Sequence, residues 1–176
     1  MNTEKRTSLN QERLALVDET IRPKVQAVVT LLEYRNYQPL IASEVFRSPQ
    51  KQLELFQRGV TKVRWGFHCA TTRDGQAGSL AADIIDADKG WNMNNEFWLR
   101  LGKAAFDEGL HWGGFFGLTR NLERLLVVAF NFGDPVEYFR QQRLPLEKVK
   151  KGWDPAHLEV KGLSIAEARA GVRLKF

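Results

Sequence analysis

Two short segments of the 176-residue chain concentrate the side chains able to do chemistry. The first, from Trp65 to Asp86, reads WGFHCATTRDGQAGSLAADIID and carries His68, Cys69 and then Asp83, which leads into Ile84-Ile85. The second, from Trp153 to Glu159, reads WDPAHLE and carries Asp154, His157 and Glu159. Two of the three histidines therefore lie in segments that also hold a carboxylate. Two imidazoles and one carboxylate with an open fourth position form a common donor set for a catalytic zinc ion. A carboxylate entering an apolar pair lies beside a core strand, and Asp83 needs a partner there. Cys69 could ligate as a thiolate. Neighbouring side chains on an extended segment point to opposite faces, however, which favours a small buried thiol.

The elements that position these residues are read from periodicity and caps. Leu14, Leu16, Val17, Ile21, Val25, Val28, Val29 and Leu32 recur mostly at spacings of three and four, predicting helix from Asn10 to about Asn36. Pro23 falls inside that run and predicts a kink or the start of a second helix. Pro39 to Phe46, PLIASEVF, is short, apolar and bounded by turn residues, and predicts a strand. Ser48 as N-cap, Pro49 at the first helical position and Gly59 as the stop define the next helix. Arg47 precedes that helix and Gln52 stands one turn inside it, so both can project towards whatever faces its start. The same spacing also fits a solvated arginine and a surface glutamine.

A glycine-containing loop then feeds a strand at residues 82–86. Asn94 to Leu110 predicts a helix with Phe97, Trp98, Leu101, Ala104 and Ala105 inward. The following LHWGGFF gathers aromatics around Gly113 and Gly114, and His111, without a carboxylate beside it, is placed in a groove wall. Leu122 to Phe130 fits a helix or a buried strand. Asp134-Pro135 predicts a short helix through Gln142, and Lys148, Lys150 and Lys151 form a basic edge read as solvated surface. His157 to Val160 alternates like a half-buried strand, and Ser164 caps a last short helix before a basic tail.

Composition narrows the class. A 43% hydrophobic chain of this length is one domain with a proper core. No run of eighteen apolar residues predicts a membrane span, and one cysteine excludes an internal disulfide framework. The net charge of +5 favours polyanions, whether nucleic acid or an anionic envelope polymer. The 26 lysines and arginines are scattered and carry no nucleic-acid motif, so no nucleic-acid partner is expected.

Taken in order, four pieces between about residues 39 and 160 resemble the LAS group of zinc peptidases, which includes D-alanyl-D-alanine carboxypeptidases and L-alanyl-D-glutamate endopeptidases used as phage endolysins. They are FRSPQKQLELFQRG with the first histidine, His68; Ala81-Ala82-Asp83; FWLRLGKAAFDEGLHWGG; and the closing Asp154 to His157. The resemblance implies an α+β single domain of the hedgehog/D-Ala-D-Ala peptidase kind, with a small antiparallel sheet carrying the site and helices around it. It implies a helical segment at 1–38, a catalytic core at 39–160 with an inserted lobe at 117–152, and a C-terminal tail at 161–176.

The resemblance also implies roles. His68, Asp83 and His157 would hold Zn²⁺, Asp154 would be the general base, and Arg47 and Gln52 would lie near the substrate carbonyl. Trp112, Gly113 and Gly114 would border the groove. Two departures stand out: CATTRDGQAG is inserted between His68 and Asp83, and Gly66 stands where the family has a serine. Asp74 and Asp86 are the alternative ligands if the insert displaces Asp83. The implied activity is hydrolysis of a peptidoglycan stem peptide by a monomer, and the alternative is an inactive member that binds the wall or a partner. The polar N-terminus lacks an apolar h-region, which predicts synthesis in the cytoplasm and action on the wall after release.

Overall fold

The computed structural model describes residues 1–174. Among these residues the sheet has four strands. β2 (Ala81–Asp86) and β4 (His157–Val160) pair at the centre, β1 (Pro39–Ile41) flanks β2, and β3 (Leu110–Trp112) flanks β4, all antiparallel. Side chains alternate along a strand. Ala82, Ile84, Leu110, Trp112, Leu158 and Val160 therefore share the face that enters the core, and all six are buried. The other face carries Asp83 opposite His157 and His111 opposite Glu159. One face of a small sheet packs the protein, and the other gathers its ionisable groups.

Seven α-helices surround this sheet among the described residues, making an α+β domain. They are α1 (Thr3–Leu14), α2 (Arg22–Tyr34), α3 (Pro49–Gln57), α4 (Asn95–Asp107), α5 (Arg120–Phe132), α6 (Pro135–Gln141) and α7 (Ile165–Arg169). α4 packs against both α2 and β3. A Cβ on Gly102 would overlap the Trp112 ring, so glycine there lets the indole lie against the helix. Burying a side chain as large as Phe97 or Phe130 contributes about 1.5–3 kcal/mol.

The expected helix from Asn10 to Asn36 is two helices. α1 begins earlier, capped by Asn2, and Pro23 stands at the start of α2. Between them Val17 bridges to Ser79, and the Asp18 amide donates to the Ser79 carbonyl at 2.8 Å. That pairing outweighs helical periodicity. β1 stops at Ile41 rather than Phe46, because the chain turns away and the Val45 carbonyl is drawn to His68. The ambiguous Leu122–Phe130 stretch is helix within α5, and its inner residues Leu126, Ala129 and Phe130 join the main core, as does Phe139 of α6.

The outer edge of β1 is covered by side chains from α1. Buried Asn10 donates to the Pro39 carbonyl at 3.0 Å and accepts from the Ile41 amide at 2.9 Å. Arg13 donates to the Ile41 carbonyl.

Candidate metal centre

His68 lies in a 3-10 turn, Phe67–Cys69, that Gly66 enters in an extended conformation. The long insert after it does not push Asp83 away. Thr71 and Ala77 bridge, the Thr72 amide donates to the Gln76 carbonyl at 2.9 Å, and the Gly78 amide to the Ala70 carbonyl at 3.1 Å. The extra residues therefore zip into a small hairpin that returns the chain to its starting point. Leu80 then bonds back to Phe67 at 3.0 Å, and β2 begins. Asp83 stands on that strand directly across from His157.

The three side chains converge. His68 Nε2 is 3.3 Å from His157 Nδ1 and 3.6 Å from an Asp83 oxygen, while His157 Nδ1 is 3.0 Å from the other. All three residues are buried, and one ligand atom from each lies within 4.8 Å of the others. Their outer atoms are already committed. His68 Nδ1–H donates to the Val45 carbonyl at 2.7 Å, and His157 Nε2–H donates to Glu159 at 3.0 Å. With both rings neutral, each presents only a lone pair inward. Three mutually facing acceptors then favour a cation between them, and two nitrogens with one carboxylate oxygen are a donor set that suits zinc. The group can hold a metal ion.

Electrostatics agree with that requirement. Burial opposes a charged His157, but hydrogen bonds to Asp83 and Glu159 outweigh it and push its pKa up to about 10. Burial would raise Asp83, yet hydrogen bonds from His157 and His68 outweigh it and hold the carboxyl far below the usual range. For Glu159, burial is likewise outweighed by bonds from His111 and His157, which hold it at about 2. A proton on His157 does part of what a divalent cation would do for the whole group.

The remaining expected site residues divide. Asp154 sits in the turn entering β4, where its carbonyl accepts from the His157 amide at 3.2 Å. Burial raises its carboxyl pKa, against the opposing pull of His157. Arg47 is anchored by its amide to the His68 carbonyl at 2.9 Å, and its guanidinium lies 3.7 Å from Asp83 and 3.1 Å from Glu44. Gln52 is buried, its amide nitrogen donating to the Val63 carbonyl at 2.8 Å.

Trp112 is fully buried, and its indole donates to the Pro155 carbonyl at 2.7 Å, so it supports the wall from beneath instead of forming its surface. A Cβ on Gly113 would come within 2.9 Å of the His157 Cβ and closer still to the Asp154 carbonyl. Gly114 lies against the Trp112 ring in the same way. Beside the site are half-buried Phe116, whose ring centroid is 5.7 Å from that of His157, and exposed Trp153, packed on Phe116 at 5.3 Å. Next to this lip, Lys148, Lys150 and Lys151 line an open cleft of about 820 Å³ with Leu118 and Asn95.

The alternative ligands stay outside the group. Asp74 is exposed at the tip of the hairpin. Asp86 lies on the opposite face of β2 from Asp83 and caps the turn after it, accepting from the Asp88 and Lys89 amides. Cys69 is a buried thiol whose pKa burial raises, as a small core residue would show. Sequence reasoning left His111 without a carboxylate partner and overlooked Glu159 as one. Their side chains meet at 3.1 Å because β3 and β4 set them opposite each other. Alternation along His157-Leu158-Glu159 was the available signal, since residues two apart share a face.

No protein-family model matches the sequence, and no curated protein matches it. Among solved structures, the crystal structure of Serratia marcescens L-Ala D-Glu endopeptidase ChiX is similar in fold. The two align over 97% of this chain and 98% of that one, with a TM-score of 0.50 and 16% sequence identity. The likeness extends over the whole chain and concerns the fold.

Proposed function

We propose that the protein is a zinc peptidase that cuts a peptide bond in the peptidoglycan stem peptide, of the L-alanyl-D-glutamate or D-alanyl-D-alanine kind. The observation that carries this reading is the inward-facing His68, Asp83 and His157, with half-buried Asp154 beside them, in a fold shared with an L-Ala D-Glu endopeptidase. His68 Nε2, His157 Nδ1 and an Asp83 oxygen would hold the ion. When bound, zinc would polarise the scissile carbonyl and lower the pKa of a water near it.

The chain's own residues complete the chemistry. Asp154 takes the attacking water's proton and passes it to the leaving amine, a task suited to a carboxyl whose pKa burial has raised towards the working range. Arg47 brings a cationic donor to the carbonyl oxygen as negative charge develops there. Gln52 acts one step back, holding the loop at Val63. Gly113 and Gly114 let the strand and the Asp154 turn pack closely, and Phe116 and Trp153 give the groove an apolar lip. The three lysines of the neighbouring cleft suit a peptide that carries carboxylates. Secretion or release would bring the enzyme to the wall.

The test is zinc stoichiometry on purified protein followed by digestion of purified peptidoglycan. About one zinc per chain and new amino termini from the stem peptide are expected. Zinc without any cleavage would leave a binding protein on this fold. Absence of zinc after incubation with the metal would remove the peptidase reading.

A further inference from the structure

Resting on the metal reading above, we infer that Glu159, backed by His111, is the positioning carboxylate of the metal centre: it selects the tautomer of His157 and locks the direction of its inward nitrogen. A neutral imidazole has one N–H, and whichever nitrogen donates outward leaves the other as the ligand. The nitrogen of His157 that faces outward is Nε2, and it lies 3.0 Å from a Glu159 oxygen. Donation there leaves Nδ1, the atom facing Asp83 and His68, as the lone-pair donor.

Glu159 is itself fixed. Its second oxygen accepts from His111 Nδ1 at 3.1 Å. Both residues stand at paired positions of adjacent strands, so the ladder sets their separation. The His111 ring is stacked on Phe115, with an interplanar angle of 15°, and meets Phe116 edge-on at 5.3 Å. Phe116 also packs against His157. The sequence His111, Glu159, His157 is thus a continuous hydrogen-bonded line running from the aromatic wall to the ligand cluster, each member held from at least two sides.

His68 shows what the arrangement adds. Its outer nitrogen meets a backbone carbonyl, a dipole without net charge. His157 meets a carboxylate, which makes its inward nitrogen the more basic of the two. A carboxylate present only for sheet stability would have no need to face the outer edge of this ring.

The experiment measures zinc affinity by competition with a chromophoric chelator, and the visible spectrum of cobalt-substituted protein, for wild type, Glu159→Ala, Glu159→Gln and His111→Gln. Circular dichroism verifies folding in each case. Glu159→Ala is expected to lose about 10–100-fold in zinc affinity and to shift the cobalt bands. Glu159→Gln, which keeps an acceptor but no charge, is expected to recover part of that loss. His111→Gln should fall in the same direction by less. Wild-type affinity and an unchanged cobalt spectrum in folded Glu159→Ala would overturn the inference, leaving Glu159 as a structural ion-pair residue. A wild-type protein that binds no zinc would overturn the metal reading and this inference together.

Discussion

His68 and His157 face each other across 3.3 Å, yet they are held by different parts of the chain. His68 stands on a short turn between loops, tied outward to a backbone carbonyl and followed by an inserted hairpin. His157 stands in the central ladder, paired with Asp83 on one side and two residues away from the Glu159–His111 pair on the other. Turns tolerate insertion because their ends can close while the tip grows. A ladder tolerates none, because a slip of one residue turns every side chain to the wrong face. The comparison teaches where this site can vary and where it cannot.

The largest effect should follow from removing either histidine. His68→Ala and His157→Ala are each expected to reduce zinc from about one per chain to none. Retention of zinc by His68→Ala alone would break the symmetry and make the strand arm sufficient. Next in size, Asp154→Asn should keep zinc while lowering kcat on the order of 10²–10⁴.

The pH profile sharpens the same point. As the proposed base, Asp154 would have to be ionised to accept a proton, and burial raises its pKa, so activity should be lost as pH falls through a value above the ordinary carboxylate range. An acid limb unchanged between wild type and Asp154→Asn would assign the base elsewhere.

Smaller effects distinguish the two arms by packing. Gly113→Ala inserts a methyl between β3 and the Asp154–His157 turn and should destabilise the fold by about 1–3 kcal/mol, read by chemical denaturation. Asp74→Ala, at the hairpin tip of the other arm, should change neither zinc content nor stability measurably. Loss of zinc in Asp74→Ala would bring the hairpin into the ligand set and reverse the comparison.

What could be read in the sequence follows the same division. The capped helix after Ser48 and the helix before Gly109 were legible because each is specified by neighbours in sequence, whereas the α+β class came from the resemblance. The convergence of His68, Asp83 and His157 was suggested by the order of the pieces, but the inserted loop hid how Asp83 is returned to place. That return depends on hydrogen bonds within the hairpin and a bridge from Val17 to Ser79, none of which periodicity reports. The break between α1 and α2 was partly visible in Pro23, whereas its length was set by that same distant bridge. Trp112 carried no sign of its burial, because an aromatic beside two glycines suits a wall or a core equally.

The amide of Asn10 lies along β1 in the manner of a strand that is not there, giving and taking one hydrogen bond each at Pro39 and Ile41, with Arg13 occupying the next carbonyl. A sheet recruits further chains, including copies of itself, through unpaired backbone groups at its rim. Here those groups are already engaged by a helix. Any extended peptide that this molecule receives must therefore be met by the polar face of the sheet or by the opposite rim, and β-type self-association has no foothold on the β1 side.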